Sequence, residues 1–180
     1  MKIAMVSPEV VPYSKTGGLG DVVGALPGAL DQQGEEVVVI SPLYDMVREN
    51  VEVRDLEFES NVAAPITVPI GDMDRTASIV GGQLPNTNVS VYFLENDHFY
   101  GRPGLYTDPE NGSDYQDNSE RFIFLSRGSL ELLRQLDFQP DLIHTHDWQT
   151  GLVPVYLEHM YRDDFPQTAS AFTVHNLAYQ

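Results

Sequence analysis

The sequence predicts an α/β fold: a doubly wound parallel sheet carrying a β-rich insertion. Three observations lead there. Lys2–Ser7 and Glu36–Pro42 are short, nearly continuous apolar runs, as expected of strands buried on both faces. Between them Asp21–Gln33 carries apolar residues at helical spacing. The pattern then repeats near the C-terminus as helix, strand, helix, strand.

Taken in order, the first helix presents Val22, Val23, Leu26 and Leu30 toward the sheet and stops at Gly34, a residue suited to a left-handed C′ position. Pro27 lies inside it, where a proline removes one hydrogen bond. From about Val51 to Glu95 the pattern changes. Val51–Glu59, Arg75–Val80 and Val89–Leu94 are β-rich runs separated by Pro, Gly and Asn, which predicts a hairpin-like insertion. Asn96–Tyr115 reads as a loop rich in Tyr, Phe, Gly and Asp. A second helix is expected from Asp117 to Asp137, with Asp117 and Glu120 forming a capping box and Phe122, Leu125, Leu132, Leu133 and Leu136 inward. Asp141–His146 is a strand, Trp148–Tyr161 a helix and Ala169–Val174 a final strand. Neither repeats nor low-complexity segments interrupt the series.

The chain has 180 residues, one domain's worth, and no cysteine, so disulfides and thiolate metal sites are excluded. The first strand begins at Lys2, and no apolar run approaches membrane length, so a soluble cytoplasmic protein is expected. A net charge of −17 argues against nucleic acid or an acidic membrane as partner. Salt adaptation and simple acidic drift both account for that excess. Lys2 and Lys15 are the lysines among ten basic residues, which makes Lys15 in a glycine loop conspicuous.

That loop, Lys15-Thr16-Gly17-Gly18-Leu19-Gly20-Asp21, follows the first strand and opens the first helix. Such a turn presents main-chain N–H groups and the positive end of a helix dipole to an anion, and glycine lets the ligand approach closely. A tight turn beside a solvated lysine is the bland alternative. A P-loop is excluded because Lys15 precedes the glycines. A dinucleotide fingerprint is excluded because Val23 stands where its third glycine belongs and the second strand ends in Ser41-Pro42 without an acid.

In a doubly wound sheet, ligands bind beyond the carboxyl ends of the strands. The glycine loop, His146-Asp147-Trp148 and His175-Asn176 all fall on that rim. His144, His146 and Asp147 invite a metal reading, but no third ligand stands at a recognisable spacing, so core or supporting polar roles are expected and no metal. Asp147 is expected to face the ligand. His175 suits a hydrogen bond to a sugar hydroxyl or phosphate, or a proton transfer. Glu9, Asp21 and Asp147 also suit a paired-carboxylate reading, with Asp21 as helix cap the alternative. Tyr100, Tyr106 and Tyr115 are expected to pack within their loop rather than stack on sugars, and His98 and His159 to lie in a loop and on a helix surface.

Together these residues form a resemblance. Ser7-Pro8-Glu9, Lys15–Val22, Arg102-Pro103-Gly104-Leu105-Tyr106, Asp117–Phe122, His146–Gly151 and Phe172–Gln180 closely resemble, in order, blocks of the bacterial glycogen synthases and plant starch synthases. Gly20 stands where many bacterial members have alanine. The resemblance implies a GT-B retaining glucosyltransferase that extends α-1,4-glucan chains from ADP-glucose, or UDP-glucose in some members, without a metal or cofactor. It implies that Lys15 contacts the donor phosphates and that Gly17 and Gly18 bring main chain against the donor. It places Asp21, Asp147, His175 and Asn176 around the glucose, with His175 in a supporting catalytic role, and Glu9 toward the acceptor glucan. Residues 1–180 are then the Rossmann-like N-terminal lobe, truncated at Gln180, with the C-terminal nucleotide-binding lobe and the main catalytic residues absent and the fragment inactive alone. Two alternatives stand beside it, a GT-B transferase with another sugar donor and a non-catalytic glucan-binding module.

Overall fold

The computed structural model describes residues 1–49, without the side chain of residue 49, and residues 58–178. Its centre is a seven-stranded sheet in the order β3-β4-β5-β2-β1-β6-β7. The strands are β1 (Lys2–Val6), β2 (Glu36–Pro42), β3 (Glu59–Ile70), β4 (Met73–Gln83), β5 (Ser90–Glu95), β6 (Leu142–His146) and β7 (Ala169–Thr173). β1, β2, β5, β6 and β7 pair in parallel, whereas β4 runs antiparallel to both β3 and β5. The apolar runs that predicted β1 and β2 are buried from Ile3 to Val6 and from Val37 to Pro42. Continuous burial fits strands with neighbours on both sides.

A hairpin is present as β3 and β4, joined at Gly71, whose φ of +58° suits a tight turn; β4 contains the expected run Arg75–Val80, whereas β3 shares only Glu59 with the run expected over Val51–Glu59. The hairpin extends the main sheet at one edge. β5, read from sequence as part of the insertion, is a parallel core strand beside β2, with Val91, Phe93 and Leu94 buried. Pro65 and Pro69 sit in β3, an edge strand, where a missing N–H is tolerated. The portion of the first predicted β-run over residues 51–57 lies outside the described residues.

Five helices accompany the sheet among the described residues: α1 (Gly18–Asp31), α2 (Asp45–Glu49), α3 (Asp97–Tyr100), α4 (Asn118–Gln135) and α5 (Val153–His159). α1 begins three residues before the predicted start at Asp21, so the second and third glycines of the loop form its first turn. It buries Leu19, Val23 and Pro27; Val22 is exposed, because it lies one position off that stripe. Pro27 therefore serves as core despite the hydrogen bond it removes.

The capping box expected at α4 does not form. Asp117 occupies the N-cap position but makes no side-chain cap, since Arg102 takes both its carboxylate oxygens at 2.7 and 2.6 Å. The inward set of α4 is otherwise as expected, with Phe122, Leu125, Leu132 and Leu133 buried and Leu136 packed against the core. The predicted helix over Trp148–Tyr161 is broken into a 3-10 turn, Trp148–Thr150, and α5. Pro154 near the start of α5 explains the break, because it cannot donate back into a continuous helix. His98 lies on α3 rather than in a loop, and His159 ends α5; both are exposed.

Candidate functional site

The site begins with Glu9, in the loop after β1. Its carboxylate is almost buried, 3 % exposed, and accepts three short hydrogen bonds. Thr16 N–H donates to Oε2 at 2.7 Å, the Thr16 hydroxyl to Oε1 at 2.6 Å and the Tyr106 hydroxyl to Oε1 at 2.6 Å. Gly17 N–H is farther, 3.4 Å from Oε2. Charge-assisted bonds of this kind are the strong ones in a protein. Glu9 lines the cleft, and its carboxylate is engaged by the chain's own donors, tying the glycine loop to Tyr106.

Beyond Glu9, Gly17 is the N-cap of α1 and offers no side-chain cap. The first-turn N–H groups are left for another acceptor. A Cβ built on Gly17 or Gly18 meets nothing within 4 Å, so the space beside them is open to a ligand. At Gly24, by contrast, a Cβ would lie 2.8 Å from both Cβ and O of Val11, which lets the Glu9 loop rest directly on the helix.

Tyr106 reaches the site from the long loop before α4. Arg102 clamps that loop through Asp117 and lies 5.0 Å over the Tyr115 ring. Asn118 Nδ2 donates to Tyr106 O at 2.9 Å, and Arg121 Nη1 donates to Asn118 Oδ1 at 2.7 Å. Arg121 is fully buried, and burial lowers its pKa from the usual arginine value. Burial, with Tyr44 and Glu9 close by, pushes the Tyr106 phenol well up, so it stays a donor to Glu9. Tyr100 is a packed core residue with its hydroxyl on Arg121 O at 2.8 Å.

The opposite wall comes from the ends of β6 and β7. Asp147 has φ +58° and ψ 178°, a backbone region that costs a side-chain-bearing residue of order 1–3 kcal/mol. The conformation is held at two points: Asp147 N–H donates to Thr173 O at 2.9 Å, and Asp147 Oδ1 accepts from His175 N–H at 2.6 Å. Trp148, 41 % exposed, stands edge-on to Phe122 at 5.0 Å. Behind Asp147, His146 is fully buried with Nδ1 2.9 Å from His175 Nε2. The His144 ring lies 4.2 Å from that of His146, tilted by 36°, and its Nε2 lies 2.7 Å from Thr173 Oγ1. Burial, with His144 and His175 beside it, pulls the His146 pKa down to about 3.

These walls enclose a cleft of about 530 Å³, lined among others by Glu9, Gly17, Gly18, Asp147, His175 and Asn176. Six of the residues singled out from sequence thus meet in one place, although they span nearly the whole chain. Lys15 and Asp21 are not part of the lining. They stand exposed beside it and pair with each other, Nζ to Oδ1, at 2.7 Å. Asp21 belongs to the first turn of α1 and is not its cap. Among the described residues no group of three or more His, Asp or Glu is placed to hold a metal ion, and the two β6 histidines are engaged with Thr173 and His175 instead. Thr16, Trp148 and Gln149 also line the cleft and were missed as site residues. Trp148 carried a readable signal, a lone tryptophan directly after the strand-end aspartate.

A mostly parallel sheet with a glycine-opened helix and a polar cleft on its carboxyl rim defines a Rossmann-like lobe, the place where such sheets bind ligands. The sequence model for the starch synthase catalytic domain matches residues 2–180. This chain belongs to that family. Over its whole length it is 42% identical to the glycogen synthase of Pseudothermotoga lettingae and 44% identical to glycogen synthase 1 of Geobacter sulfurreducens. It spans 36% and 35% of those relatives, about a third of their length. The catalytic domain of starch synthase IV from Arabidopsis thaliana, bound to ADP and acarbose, superposes with a TM-score of 0.84 at 31% identity. That match covers 99% of this chain and 34% of the plant chain, and the shared architecture is the GT-B type.

Proposed function

We propose that the chain is the N-terminal lobe of a retaining α-1,4-glucosyltransferase that extends glycogen- or starch-like glucan from ADP-glucose. The observation that carries this is the convergence of the glycine-opened helix, Asp147 and His175-Asn176 on one cleft. Membership of the family, and the similar starch synthase seen with ADP and acarbose, support it.

In this reading the donor diphosphate lies at the start of α1, against the N–H groups opened by Gly17 and Gly18. Lys15 is exposed, and an exposed ion pair is worth little, so it leaves Asp21 for the diphosphate at small cost. There it stabilises negative charge as the leaving group departs. Asp147, His175 and Asn176 hold the glucose hydroxyls, with Asp21 at the edge of the same subsite, and Trp148 offers an apolar face to a sugar ring. Glu9 acts through Thr16 and Tyr106 and sets the wall that the acceptor glucan passes. A second lobe supplies the base-reading groups and the remaining catalytic residues, so the 180-residue chain alone is inactive.

Neither metal nor cofactor takes part in this scheme, so chelators are expected to leave the rate unchanged. The enzyme of this reading works in the cytoplasm on a soluble sugar nucleotide. The test is transfer of labelled glucose from ADP-glucose to glycogen, comparing the full-length protein with residues 1–180. Transfer by the full-length protein alone supports the reading. A full-length protein inactive with every sugar nucleotide, yet still binding glucan, replaces it with a glucan-binding module.

A further inference from the structure

We propose that His146 is a positioning residue: by donating from Nδ1 to His175 Nε2, it fixes the tautomer and the ring orientation of the cleft histidine.

The two rings meet with Nδ1 and Nε2 2.9 Å apart and planes 28° from parallel. Two neutral imidazoles can share that contact in either sense, so the assignment rests on what surrounds His146. Its other nitrogen, Nε2, is buried and finds no hydrogen-bond partner. A proton on Nε2 would be a buried N–H without an acceptor, the rarer and costlier of the two omissions. Leaving Nε2 bare and protonating Nδ1 avoids it. The His146 ring is neutral across the physiological range, its pKa lying near 3, so a single proton must be allocated. His175 Nε2 is then the acceptor, and neutral His175 carries its own proton on Nδ1.

His146 is well fixed for this task. Its main-chain N–H donates to Thr150 Oγ1 at 2.7 Å, and its ring packs at 4.2 Å against that of His144, itself tied to Thr173 Oγ1. His175 is therefore held twice, by Asp147 Oδ1 at its main-chain N–H and by His146 at its ring. Which His175 nitrogen offers a proton decides whether it donates to or accepts from a ligand. His146 sets this without touching the ligand.

The tautomer assignment stands on the ring contact, the unpartnered Nε2 and the neutrality of the buried His146; its effect on rate rests on the glucosyltransferase reading. Long-range 1H–15N spectra of the full-length protein with labelled histidine, assigned by the loss of signals in His175→Ala, read the tautomer directly. The expected result is His175 protonated on Nδ1 in the wild type. In His146→Phe, which keeps a ring but removes the donor, His175 shifts toward the Nε2–H form. The kcat with ADP-glucose then falls about tenfold, a loss of the size seen when a histidine's orienting partner is removed, with donor KM little changed. His146→Asn, whose amide N–H falls near the Nδ1 position, retains both the tautomer and the rate. An Nε2–H tautomer in the wild type overturns the proposal, even if His146→Phe fails to fold. So does a variant series in which His146→Phe behaves as wild type and His146→Asn is the damaged one, since that is the signature of packing. If no sugar nucleotide supports turnover, the functional reading falls while the spectra still decide the tautomer.

Discussion

Glu9 and Tyr106 stand 97 positions apart in the chain and meet at 2.6 Å, hydroxyl to carboxylate. The contact joins the loop that opens α1 to the loop that precedes α4, so one wall of the cleft is built from two distant segments. Because the same Oε1 also takes the Thr16 hydroxyl at 2.6 Å, the carboxylate is shared between the glycine loop and the tyrosine.

Glu9→Gln removes the charge and leaves one acceptor oxygen for donors that now use two. Hydrogen bonds to a charged group contribute about 1.5–3 kcal/mol each, so a loss of about 2–3 kcal/mol is expected. For a chain of this size that lowers Tm by about 5–10 °C, read by differential scanning calorimetry. An unchanged Tm would show that the carboxylate does not hold the two loops.

Glycines near the site separate into two kinds. Gly18→Ala meets open space, so stability holds or rises by up to about 1 kcal/mol from helix propensity. Donor use falls, because the methyl group occupies the ligand's approach. Gly24→Ala drives a methyl against Val11 and lowers Tm by displacing the Glu9 loop. Thermal melts and donor KM, measured together on both variants, test the distinction.

Lys15→Ala in the full-length protein leaves Tm within a degree or so, since the pair it loses is exposed. Loss of one charge aimed at a developing anion costs about 100-fold in kcat/KM for the sugar nucleotide. Equal kinetics in the variant and the parent would remove Lys15 from the site.

The stability of the chain is expected to fall in mild acid because of His146. Its folded pKa is depressed to about 3 from 6.5, so between those values the unfolded state binds more protons than the folded one. That contribution is complete above the unfolded value. It is lost as pH falls from 6.5 toward 3, by at most about 1.4 kcal/mol per pH unit. Asp117, held down by Arg102, adds its own loss only below the ordinary value of 3.8. Urea denaturation at a series of pH values separates the two, and His146→Asn flattens the upper window alone.

The strands and their parallel pairing were legible because burial on both faces leaves a continuous apolar run, as in Ile3–Val6 and Val37–Ile40. β5 was misassigned to the insertion because Ser90 and Tyr92 interrupt its run, and alternation cannot distinguish a hairpin strand from a core strand with two half-buried positions. The Asp117 cap was misread because a capping box is a local pattern, whereas Arg102 competes for the carboxylate from a distant turn. Rim residues were legible from the rule that ligands bind at carboxyl ends. The tie from Glu9 to Tyr106 was not, since no spacing records that Tyr106 would arrive beside it. The same holds for the strained backbone of Asp147, which depends on Thr173 and His175 closing over it.

Sheet order has a consequence for how the protein is made. β1 lies beside β6, and β6 beside β7, yet β1 leaves the ribosome long before the other two. At roughly 5–20 residues per second, His175 is added some 10–30 seconds after Glu9. Through that interval the glycine loop and the open side of β1 wait for partners not yet synthesised. The cleft is thus among the last parts of the lobe to be completed, and a nascent chain carries half a binding site whose exposed strand edge must be kept from pairing elsewhere.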